Sequence, residues 1–132
     1  GEKRNVSIKT DGDSVQIDTV RRLRYEIIYN LCDNAIRYNR EGGSVQIHVG
    51  ATPSGIEIAV SDTGIGIPPE DQSRIFERFY RVDKSHSKDT GGTGLGLSIV
   101  KHAVRYLGGE IRLESKVMQG TKITVLLPNT PA

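Results

Sequence analysis

The sequence predicts an α+β domain, a two-layer sandwich with helices on one face of a mixed, mostly antiparallel sheet. Three observations lead there. Short runs of alternating apolar and polar residues arrive in adjacent pairs, the mark of strands with one buried face. Two longer stretches carry apolar residues three and four apart, the mark of helices laid against a core. Turn residues separate all of these elements, with no internal repeat and no linker, so the economical architecture is one sheet and one helical layer. The 132 residues suit a single domain, 1–132, with one buried core.

The elements follow in order. Residues 6–9 and 14–17 alternate, with Asp11, Gly12 and Asp13 supplying a turn, and predict a strand–turn–strand entry. Asp18 or Thr19 can cap a long helix running to about Arg40, which Glu41, Gly42 and Gly43 end. Val45, Ile47 and Val49 alternate, a turn follows at residues 52–55, and residues 56–60 form the second half of a hairpin. Pro68 and Pro69 open a short helical piece before residues 75–80. Residues 85–93 are polar and unpatterned, which predicts a loop. Leu97, Val100, Val104 and Leu107 then mark a second long helix ended by Gly108 and Gly109. Residues 111–114 and 122–127 close the fold as a strand pair, and Pro128 stops the last strand.

Composition narrows the function. Hydrophobic residues make up 36% and charged residues 26%, the balance of a soluble globular domain. A net charge of +2, without basic runs interleaved with aromatics, gives no nucleic-acid footprint. The single cysteine, Cys32, excludes an internal disulfide and cysteine-based metal spacing, and reads as a small core side chain. No stretch is long and apolar enough to predict a membrane span.

Glu26, Asn30, Asn34 and Tyr38 recur every four residues, forming a polar stripe on the long helix. Leu23, Ile27, Leu31 and Ala35 form an apolar stripe roughly 60° round. The polar stripe therefore borders the core. Asparagine is a poor helix former, but at such a rim its carboxamide can reach a groove. An amide oxygen there is a suitable hard ligand for Mg²⁺.

Two glycine boxes follow, DTGIGI at 62–67 and GTGLGL at 92–97. The first comes directly after a strand, so that Asp62 at the strand end can accept from an exocyclic amine while Gly64 and Gly66 let a ligand approach the backbone. The dinucleotide fingerprint does not fit, since Pro68 and Pro69 intervene before any helix, and no Walker A sequence occurs. The second box begins the second long helix, where N–H groups can hold phosphate, and its glycines can hinge the loop before it. Arg74, Arg78, Arg81, Lys84 and Lys88 lie between the boxes as a basic lid. Lys84 and Lys88 read as solvated surface. Phe76, Phe79 and Tyr80 read as anchors of the lid in the core.

The segments EIIYNLCDNAIRY at 26–38, DTGIGI at 62–67, IFERFYR at 75–81 and GTGLGL at 92–97 together resemble the catalytic ATP-binding domain of bacterial sensor histidine kinases. That domain belongs to a superfamily shared with type II topoisomerases, the heat-shock chaperone ATPases and the mismatch-repair ATPases. The resemblance covers nearly the whole chain, and its flavour is that of phosphate-regulator and cell-wall sensors. It implies a Bergerat-type fold with an ATP lid at about 74–93, and ATP and Mg²⁺ as ligands. By resemblance, Asn30 would hold Mg²⁺, with Glu26 close by to orient water. Asn34 and Arg37 would meet phosphates, and Tyr38 would lie against adenine. Asp62, Gly64, Gly66 and Ile67 would wall the adenine, with Thr121 supporting that pocket. Arg78 and Arg81 would act from the lid, and Gly92, Thr93, Gly94, Leu95, Gly96 and Leu97 would meet the phosphates.

The acceptor of a histidine kinase is a histidine in a His-Glu/Asp context on a separate dimerisation domain. His48, His86 and His102 all lack that context. The chain is therefore expected to be an excised cytoplasmic fragment of a membrane sensor. The implied partners are the dimerisation and histidine-phosphotransfer domain of the same kinase and, indirectly, a response-regulator receiver domain. An anti-sigma-type serine kinase and a non-catalytic ATP-binding sensor module remain as alternatives.

Overall fold

In the computed structural model, residues 12–81 and 94–129 are described. The element order is α1 (Gly12–Arg37), β1 (Val45–Thr52), β2 (Gly55–Asp62), a 3-10 turn (Pro69–Asp71), α2 (Gly96–Tyr106), β3 (Glu110–Lys116) and β4 (Gly120–Pro128). The sheet runs β1-β2-β4-β3. All three ladders are antiparallel, with Ile47 opposite Val60, Val60 opposite Ile123 and Ile123 opposite Leu113. The α+β architecture is the expected one, and no parallel pairing occurs among the described residues, where a mixed sheet was anticipated.

The entry differs from its expectation. The strand predicted at 14–17 is the start of α1 instead. Alternation over so few residues does not outweigh a helix, which satisfies its backbone groups internally without a partner strand. The strand expected at 6–9 lies outside the described residues. At the other end, α1 stops before Arg40, and the chain tightens through Asn39 N–H to the Ile36 carbonyl at 3.3 Å.

The apolar stripe of α1 (Leu23, Ile27, Leu31, Ala35) packs with Val100, Ala103 and Val104 of α2. Both sets lie on Ile58 and Val60 of β2 and Ile123, Val125 and Leu127 of β4. Burying each large aliphatic side chain contributes about 1.5–3 kcal/mol. Cys32 is half-buried against this cluster, where burial pushes its thiol pKa up. The core lies over the two central strands. On the edge strand β1, Ile47 and Val49 share the register of the core residues yet remain 54% and 52% exposed.

Candidate functional site

The helical layer leaves a groove of about 220 Å³ between α1 and the start of α2. Asn30, Asp33, Asn34 and Arg37 line it from α1 and Tyr38 from just after its end, and residues 94–97 with Ile99 line it from the other side. Ile75 and Tyr80, from the segment after the 3-10 turn, complete the wall.

Asn30 is oriented by its own helix. Its Nδ2 donates to the Glu26 carbonyl at 2.8 Å, which leaves Oδ1 as the amide group turned toward α2. A Cβ placed on Gly96 would stand 3.3 Å from that oxygen. The two helices approach closely at this point, which puts an amide oxygen beside a helix N-terminus. Leu95, at the N-cap of α2, makes no side-chain cap bond. The first turn of α2 stands at the groove, the kind of helix start whose N–H groups can hold phosphate.

Asp33 and Arg37 pair at 2.8 Å along the same wall. Hydrogen bonding to Asp33, then its charge, holds the guanidinium above its ordinary pKa. Sequence reading passed over Asp33, because a stripe of every fourth residue drifts about 40° per step. The groove instead follows the neighbours at positions 30, 33, 34 and 37. Glu26 stands apart from the groove lining, bonded to Arg22 at 3.0 Å.

The first glycine box is joined to the groove through Tyr38. The Tyr38 carbonyl accepts from Ile65 N–H at 3.2 Å, and Gly64 packs so tightly that an added Cβ would lie 2.9 Å from the Asn39 Cα. Asp62 Oδ1 accepts from Gly64 N–H at 2.8 Å and from Thr121 N–H at 3.3 Å. Burial raises the Asp62 pKa, and these two backbone bonds oppose the rise. Gly66 has φ of 75° and sits directly on the Lys116 carbonyl. Ser115 was missed by sequence reading. Its Oγ accepts from Ile67 N–H at 2.8 Å and lies 2.8 Å from Thr121 Oγ1, while Gln72 Nε2 donates to the Ile67 carbonyl at 2.9 Å. The box is thereby clamped under the β3–β4 hairpin, beside the groove rather than in its lining. A lone serine in an alternating strand gave no signal of that role.

The lid ends meet. Phe79 N–H donates to the Gly94 carbonyl at 2.7 Å, with positive φ at both residues, 67° and 81°. Phe79 is 61% exposed, so it does not anchor the lid in the core as expected. The left-handed turn that joins the two ends directs its ring outward. Tyr80 faces the groove instead, its hydroxyl donating to Asp71 and its ring lying 4.5 Å beneath the Arg74 guanidinium. The bond to Asp71 pushes the phenol pKa up. Arg78 is exposed, its guanidinium 5.5 Å from the Phe79 ring. Arg81 is half-buried, and its Nη1 is buried without a hydrogen-bond partner. Gly92, Thr93, Lys84 and Lys88 lie outside the described residues. No group of three or more histidine, cysteine, aspartate or glutamate side chains able to hold a metal occurs among the described residues.

Comparison with known proteins identifies the family and the fold. The family described as histidine kinase-, DNA gyrase B- and HSP90-like ATPase matches residues 18–131. The sensor-like histidine kinase SenX3 of Mycobacterium tuberculosis (strain H37Rv) is 45% identical over 125 residues, covering 94% of the chain and 30% of that protein. The chain therefore spans less than a third of the length of this curated relative. Among solved structures, the mycobacterial sensor histidine kinase MprB aligns with a TM-score of 0.67 and 28% identity, covering 93% of the chain and 99% of that one. Full-length ShkA in complex with AMPPNP aligns with a TM-score of 0.67 and 32% identity, covering 83% of the chain and 22% of ShkA.

Proposed function

The chain belongs to the histidine kinase-, DNA gyrase B- and HSP90-like ATPase family, and we propose that it is the catalytic domain of a sensor histidine kinase. In this reading it binds ATP with Mg²⁺ and donates the γ-phosphoryl group to a histidine on a separate dimerisation domain. The observation that carries the proposal is the Asn30 carboxamide, tied at Nδ2 and facing Gly96 at the start of α2. It brings a hard oxygen donor and phosphate-binding N–H groups to one groove.

The residues fit a Mg²⁺ that keeps several waters and takes few protein ligands, because Asn30 offers one neutral oxygen and, among the described residues, no cage of carboxylates surrounds it. Bound there, Mg²⁺ would supply neutralisation of the triphosphate charge. Asn34 and Arg37 would position the phosphates from α1, and the N–H groups of α2 would hold them from the opposite wall. Tyr38, at the junction with the Asp62 box, would lead to the adenine, with the Asp62 carboxylate accepting from the exocyclic amine. Arg81, with its unpartnered buried Nη1, would turn to the phosphates from the lid at 74–93. In the transfer, the acceptor imidazole nitrogen bonds to the γ-phosphorus as the bond to the ADP oxygen breaks. The acceptor and the receiver domain that takes the phosphoryl group next would come from the rest of a membrane-bound sensor, with this domain on the cytoplasmic side. No helix among the described residues is long and apolar enough to cross a membrane.

Calorimetric titration with a non-hydrolysable ATP analogue tests the first half of the proposal. Binding is expected to depend on Mg²⁺, and its absence with properly folded protein would sink the reading. Mixing the domain with a purified acceptor-histidine domain and labelled ATP tests transfer. Label that is acid-labile and absent after the acceptor histidine is replaced is the expected result.

A further inference from the structure

Among the described residues that line the groove, Asp33 carries the one carboxylate, the one side chain there that opposes an anion. It lines the groove together with Arg37, and the two side chains, each 37% exposed, are paired at 2.8 Å. They are the only formally charged side chains among the described lining residues. The α1 wall therefore offers a triphosphate no net charge, although an arginine stands on it. Asn30 and Asn34 on the same wall are neutral; opposite them the Tyr80 hydroxyl is bonded to Asp71, and the Arg74 guanidinium over its ring is itself paired with Glu77.

A site meant only to attract phosphate would leave Arg37 unopposed. Free ATP carries about four negative charges and its Mg²⁺ complex about two. A fixed carboxylate on the wall thus repels the free nucleotide more strongly, and it attracts the cation that arrives with the complex. We propose that Asp33 is a specificity-determining residue that makes the groove select metal-complexed over metal-free nucleotide, by cancelling the Arg37 charge on the α1 wall. This inference rests on the reading of the groove as an ATP site. Across a partly solvated gap of several ångströms, removing one such charge corresponds to a change of about tenfold in the preference.

The test is calorimetric titration of the full chain with a non-hydrolysable ATP analogue, once in Mg²⁺ and once in EDTA, the ratio of the two dissociation constants being the readout. In Asp33→Asn the ratio is expected to shrink about tenfold, mainly because the metal-free analogue binds more tightly. Asp33→Ser, a second neutral variant, is expected to do the same. Asp33→Glu retains the charge and is expected to restore most of the ratio. An unchanged ratio in both neutral variants would overturn the inference. So would an equal weakening of both complexes, because Asp33 would then serve only to hold Arg37 in place. Either result would leave the ATP-site reading standing, whereas wild-type protein that binds no analogue in Mg²⁺ would remove both.

Discussion

Replacing Gly96 by alanine should separate folding from function. Gly96 opens α2 without positive φ, so an alanine backbone is allowed there. Glycine costs roughly 0.5–1 kcal/mol relative to alanine in a helix interior, and the first turn gains less. The new Cβ meets nothing closer than Asn30 Oδ1 at 3.3 Å, with Asn30 Cβ and Cγ at 4.0 Å. The amide can yield the few tenths of an ångström required, so stability should change by less than about 1 kcal/mol in either direction. Metal binding should suffer much more. A Mg²⁺ ligand distance of about 2.0–2.1 Å with near-ideal octahedral geometry leaves little room beside an oxygen that already has a methyl at van der Waals contact. Disturbing the surroundings of a metal ligand typically costs about 10–100-fold in affinity, and the lower half of that range is expected for the Mg²⁺-dependent binding of the analogue. Thermal unfolding and calorimetry on the same sample provide the two numbers. Unchanged Mg²⁺-dependent affinity, or a stability loss above about 2 kcal/mol, would refute the placement of Asn30 against α2.

Asn30→Ala should lower Mg²⁺-dependent affinity at least tenfold by removing the oxygen donor, with metal-free binding far less affected, both read by calorimetry. Gly66→Ala should destabilise the fold by about 3 kcal/mol or more, since the residue would be left-handed at φ 75° and pressed onto the Lys116 carbonyl; chemical denaturation measures it. Asp62 has a folded-state pKa raised by burial. The folded state therefore binds its proton more readily than the unfolded state, and this contribution to stability is present below the ordinary carboxylate range and lost as pH rises through the raised pKa. Asp62→Asn removes that dependence, so wild-type stability should fall relative to the variant over that interval in a series of melts. A difference that does not vary with pH would contradict the burial of the carboxyl group.

Much of the candidate site was legible in the sequence because it rests on local rules. The stripe of Leu23, Ile27, Leu31 and Ala35 is buried as its spacing requires. Asn30, Asn34 and Tyr38 border the groove because residues beside an apolar stripe stand at the rim of the core. Residues 94–97 start a helix there because the glycines precede a strong apolar period. Less legible were the residues whose role depends on a distant partner. Tyr80 and not Phe79 faces the groove, which turns on the left-handed backbone at Phe79 and its bond to Gly94. The start of α1 was misread because a few alternating residues suit a strand or a helix, and local pattern does not decide between them.

Periodicity and turn chemistry by themselves determined the α+β class, the core stripe and the order of the elements from β1 onward. These properties are set within one or two helical turns or strand lengths, so each can be read from neighbours in the chain. Tertiary structure alone decided that α2 closes a groove over the Asp33–Arg37 pair, that Ser115 clamps Ile67 beneath the β3–β4 hairpin, and that Gly96 meets Asn30. Each of these depends on where a second element, remote in sequence, is brought by burial of the common core. A polar side chain on a helix has the same local signature whether it faces open water or the start of another helix, and only packing distinguishes the two.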